Sequence, residues 1–89
     1  MIALGGKKRA KRDHWNYELR DSRHIVKHGI SQNPDERFIQ MENQRLRFTS
    51  MLIDPVSVSK TTALRREKER VETYQKTHGG RKPKYNKRP

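Results

Sequence analysis

The chain has no cysteine, a single tryptophan and no apolar run approaching the roughly 18 residues of a membrane span. Without thiols, neither a disulfide framework nor a thiolate zinc site can staple it. Hydrophobic residues make up 29% of its 89 positions and charged residues 36%, so only a thin core is available. A chain this polar sits near the class that orders on a partner rather than alone. The opening Met1-Ile2-Ala3-Leu4 is too short an apolar stretch for a secretory signal. Acid is missing from both ends as well. The basic start suits a plain arm better than an organellar targeting segment, because it carries no amphipathic face.

Positive charge fills what those absences leave. Residues 5–12 hold five Lys or Arg and residues 79–89 hold five more, with no acid in either block. Residues 13–78 carry twelve basic and ten acidic residues, so most of the net charge of +12 sits in the two terminal blocks. A polyanion is the partner that fits. Lys7, Lys8, Arg9, Lys11 and Arg12 at one end, and Arg81, Lys82, Lys84, Lys87 and Arg88 at the other, are candidate phosphate contacts that would release counterions. Gly5-Gly6 and Gly79-Gly80 would let each arm bend into a groove. The first block also matches the loose pattern of a nuclear import signal.

Between the arms, helical spacing recurs, and the expected fold is mainly α: two to three short helices with extended basic arms and little independent core. A helix is expected over about 13–28, with Trp15, Leu19, Ser22 and Val26 on one face, Asp13 as cap and Gly29 as terminator. Asn33-Pro34-Asp35-Glu36 is the clearest start signal, and a second helix is expected over 34–53, with Phe38, Met41, Phe48 and Leu52 on its face. Residues 55–60 read as extended chain. A third helix is expected over 61–77, sparsely apolar and laced with pairs such as Glu67–Arg70 and Glu72–Lys76. The organisation is then a basic arm (1–12), a small helical region (13–78) and a basic tail (79–89).

Tyr85 lies among basic residues, where an aromatic ring can stack on an unpaired base, and Trp15 and Tyr17 follow the first arm. Trp15 leads an apolar stripe and reads as core. Arg65, Arg66 and Arg70 form a candidate phosphate-tracking set on the third helix. His24 and His28 are spaced to chelate a metal if helical, with Asp21 one turn earlier, but no third ligand follows at a fixed offset. Ser22 near His24 makes no triad, and Gly5-Gly6-Lys7-Lys8 lacks the spacing of a phosphate-binding loop. A chain this small does not readily enclose a pocket. The expectation is a non-enzymatic protein with no cofactor, no metal and no small-molecule substrate.

In layout the chain resembles the small basic ribosomal proteins, which pair a few short helices with basic extensions threaded into folded ribosomal RNA. The resemblance covers the whole chain through charge layout and size rather than through a motif, so no residue role carries over. It implies a structural RNA-binding component of a ribonucleoprotein, docking on ribosomal RNA and neighbouring ribosomal proteins. The implied location is the ribosome, the mitochondrial one before the cytosolic. Two alternatives use the same features: a nuclear DNA- or chromatin-binding protein, and a helical accessory subunit of a large complex.

Overall fold

A computed structural model describes residues 11–86. The element order is β1 (Trp15–Asp21), β2 (His24–Ser31), α1 (Pro34–Asn43), β3 (Ser50–Ile53) and α2 (Lys60–Thr77). The strands form one antiparallel sheet in the order β2-β1-β3. The expectation of a mainly α fold is therefore corrected. The segment expected as a first helix is a hairpin, and the expected helix over 34–53 ends at Asn43, with β3 occupying its last four residues. The third helix forms, from Lys60 to Thr77.

The physical reason lies in two periods that coincide. Trp15 and Leu19 share a helical face, but Trp15, Tyr17 and Leu19 also alternate with Asn16, Glu18 and Arg20, which is strand spacing. Ile25, Val26 and Ile30 add β-branched weight to the second strand. Ser22 and Arg23 turn the chain in two residues, with Ser22 at φ 58, a position usually announced by Asn or Gly. The register slips once. Leu19 pairs with Lys27 but Arg20 with Ile25, leaving Val26 as the extra residue of a β-bulge.

The two helices cover opposite faces of the sheet. α1 sits over the face carrying Tyr17 and Leu19, where Met41 joins them and Val26 in the core. Phe48 closes this layer, meeting Phe38 edge-on at 5.4 Å. The start signal of α1 works as read: the Asn33 side chain accepts the Glu36 N–H at 3.1 Å and Pro34 opens the helix. Its end does not use glycine. Arg45 takes φ 62, and the Leu46 N–H reaches back to the Met41 carbonyl at 3.1 Å, closing the last turn. α2 crosses the other face, held by the buried Asn16 amide, which donates to the Ala63 carbonyl at 2.9 Å.

Gly29, expected to end a helix, lies inside β2 directly opposite Tyr17. The Tyr17 ring lies across it, and a Cβ there would fall 2.3 Å from the ring's Cζ. Glycine is needed because the ring occupies the space a side chain would take. The positive-φ glycines are Gly79 and Gly80, which stop α2: the Gly80 N–H bonds the Gln75 carbonyl at 2.8 Å.

The chain then returns to the sheet. Pro83 is fully buried, and Pro83–Asn86 make a turn against the free edge of β2. The Tyr85 N–H donates to the carbonyl of the bulged Val26 at 2.8 Å. The Asn86 side chain imitates a strand: its oxygen accepts the His28 N–H at 2.7 Å and its amide donates to the His28 carbonyl at 2.8 Å. An edge that would otherwise present unpaired backbone groups is thereby satisfied.

Candidate functional site

Where β2, α1, α2 and this C-terminal turn meet, they border an open cavity of about 840 Å³. Five separated positions converge on it: Tyr17, Gly29, Arg37, Glu67 and Asn86, with Lys82 on the wall. Each is placed by a local device already described. The hairpin register sets Tyr17 over Gly29. The Asn33 cap fixes the start of α1, and Arg37 donates its N–H to the Asn33 carbonyl at 3.0 Å in the next turn. The Asn16–Ala63 bond and the Ser59 cap, accepting from the Thr62 N–H at 3.3 Å, fix the register of α2. Glu67 then falls one turn beyond Ala63.

Tyr17 is 1% exposed, and its hydroxyl has no partner at ordinary hydrogen-bond geometry among the described residues. Burial pushes its pKa above the usual phenol value. The neighbouring Arg37 guanidinium opposes that rise, while the Glu67 carboxylate adds to it. The cavity thus holds a buried phenol near Arg37 and Glu67, with Lys27, Lys68, Glu72 and Lys82 also on its lining. No cluster of three or more His, Cys, Asp or Glu that could hold a metal occurs among the described residues.

The cations expected to touch phosphate are dispersed. Lys7, Lys8, Arg9, Lys87 and Arg88 lie outside the described residues. Lys11, Arg12, Arg65 and Arg81 are exposed. Arg70 is committed to structure, forking onto Asp54 at 2.8 and 3.2 Å, so the trio with Arg65 and Arg66 does not act as one patch. Tyr85 departs from the stacking role expected of it. Its ring packs against the core, its hydroxyl accepts the Arg47 N–H at 2.9 Å, and the Lys84 ammonium sits 5.3 Å from the ring centre. The tail residues from Pro83 to Asn86 are wall rather than free arm.

His24 is exposed and His28 buried, and four residues along a strand are too far apart for the chelate that a helix would offer. Arg37, Glu67 and Asn86 carried no signal of their own in the sequence. Their spacing matches no linear motif, and only the fold brings them together. No described helix is long and apolar enough to cross a membrane. No family model matches the chain, and no curated protein or solved structure is significantly similar to it.

Proposed function

We propose that this protein is a structural RNA-binding component of a ribonucleoprotein, docking through its cationic surface on folded RNA. The observation that carries the reading is charge: the net charge of +12 makes a polyanion the expected partner. Lys11, Arg12, Arg65 and Arg81 are exposed, apart from the ion pairs that hold Arg20 and Arg70. Phosphate contacts of this kind position a protein on its RNA and carry no sequence information. The Tyr17 cavity belongs to the packing of the β2 edge, since burial favours the protonated phenol.

The test is sedimentation of the tagged full chain from a cell lysate, with and without ribonuclease, beside binding of the purified chain to structured RNA over a range of salt. Co-migration with a ribonucleoprotein that is lost on ribonuclease treatment is expected, with an affinity that falls steeply as salt rises. Migration indifferent to ribonuclease, or an affinity indifferent to salt, would overturn the reading.

A further inference from the structure

On the far side of α2 from the cavity lies a second concavity, a groove of about 630 Å³ between the helix and the sheet. Four side chains of α2 and its cap run along it at intervals of four residues: Arg66, Arg70, Tyr74 and His78. That spacing puts them on one stripe of the helix, about 18 Å long. The stripe changes character along its length. It begins with guanidinium groups, Arg66 beside the exposed Arg65, and ends with two rings. Tyr74 and His78 stack face to face, 3.6 Å apart and 2° from parallel. His78 is locked in that pose because its Nδ1 meets the Tyr74 carbonyl at 2.7 Å and the Thr77 hydroxyl at 2.9 Å.

The floor of the groove is polar at one point. His28 is 4% exposed, and its Nδ1 has no hydrogen-bond partner, the nearest carboxylate oxygen of Glu18 being 4.0 Å away. A buried, unpaired ring nitrogen is costly unless something completes it. Around it the charges cancel in pairs, Glu18 with Arg20 and Asp54 with Arg70. The walls at Ile25 and Leu52 are apolar. At the other end Arg66 lines the groove with Glu69 one turn further on, so the lining carries no net charge. The groove therefore offers stacking surface, an unpaired polar atom and one guanidinium, Arg66, outside the ion pairs named above.

We infer that this groove holds an unpaired nucleobase of the bound strand, stacked at the Tyr74–His78 pair, with a flanking phosphate on Arg66. A base is flat and largely apolar on its faces, and its edge carries donors and acceptors, which suits the rings and His28 Nδ1. The phosphate answers Arg66, since the other guanidinium of the stripe, Arg70, is held by Asp54. The inference rests on the nucleic-acid reading above and adds to it a site for one unpaired base.

Fluorescence anisotropy of the full chain with a labelled single-stranded dodecamer tests it, with the blunt duplex and an abasic dodecamer as comparisons. Tyr74→Ala and His78→Ala should each weaken single-strand binding about tenfold and leave duplex binding unchanged, and the abasic strand should bind the wild type equally weakly. Unchanged single-strand affinity in both variants, or equal affinity for the abasic strand, would overturn the inference. Titrating wild-type protein with a trinucleotide guards against misfolded variants. Ring resonances of His28, Tyr74 and His78 should shift, and their constancy at saturation would overturn it too. The duplex separates the two readings: binding of neither probe would overturn nucleic-acid binding itself, while duplex binding with no dependence on Tyr74 or His78 in the single strand would overturn the base site alone.

Discussion

The sheet has two edges, and they are treated differently. The β2 edge is closed by the turn Pro83–Asn86, with Asn86 occupying both backbone groups of His28. The β3 edge is four residues long, has no such cover among the described residues, and exposes Leu52 and Ile53. A short strand is itself a way to limit edge-to-edge pairing, so β3 needs little more. β2 is longer and carries a bulge, and its cover does more than satisfy hydrogen bonds. By folding back onto it, the C-terminal turn becomes a wall of the cavity that contains Tyr17, Arg37 and Glu67. The comparison teaches that this small protein closes its longer edge with a side-chain mimic of a strand and leaves its shorter edge to its own brevity.

Breaking the closed edge should have the largest effect. Gly29→Ala places a Cβ inside the Tyr17 ring position, and either the ring or the strand must move. A loss of about 3 kcal/mol in chemical denaturation is expected. A neutral result would mean Tyr17 does not lie across β2. Asn86→Ala leaves the His28 N–H and carbonyl without their partners and should cost about 2 kcal/mol, read as a lower denaturation midpoint with an unchanged slope.

His28 gives the same edge a pH dependence. Burial lowers its pKa below the ordinary value, Arg70 and Arg20 act in the same direction, and Glu18 opposes them. The unfolded chain then binds the proton more readily than the folded one. Stability contributed by neutral His28 should be present above an ordinary histidine pKa of about 6.5, and should be lost as pH falls from there through the lower folded-state pKa. His28→Gln should flatten that part of the stability–pH curve, and an identical curve in the variant would exclude His28 as its source. At the open edge, Leu52→Thr should change stability by less than about 0.5 kcal/mol, because half of the side chain already faces solvent. A loss as large as that of Asn86→Ala would mean that β3, too, is covered.

Legibility in the sequence followed how local each signal was. The start of α1 was readable because Asn33, Pro34 and Glu36 act on one another within a single turn. The body of α2 was readable for a similar reason, its breakers lying at Pro55 and at Gly79-Gly80. The hairpin was not, since Trp15, Leu19 and Val26 satisfy a helical period and the turn at Ser22-Arg23 lacks the residues that usually mark one. The end of α1 was hidden as well, because Arg45 rather than glycine takes the left-handed position. Tyr85 was misread as an arm residue because nothing near it in sequence shows that the bulge at Val26 leaves a carbonyl for its N–H.

By itself, then, the amino-acid sequence determined the charge, the polyanionic class of partner that charge favours, the absence of thiol chemistry and the caps that start each helix. These depend on composition or on neighbours within a few residues. The tertiary structure alone decided that residues 15–31 pair as strands, that the C-terminal turn closes an edge, and that Tyr17, Arg37, Glu67 and Asn86 share one cavity. Those outcomes depend on pairings 3 to 16 positions apart in the hairpin and up to 69 apart between Tyr17 and Asn86, and no local period or propensity encodes which partner a side chain will meet.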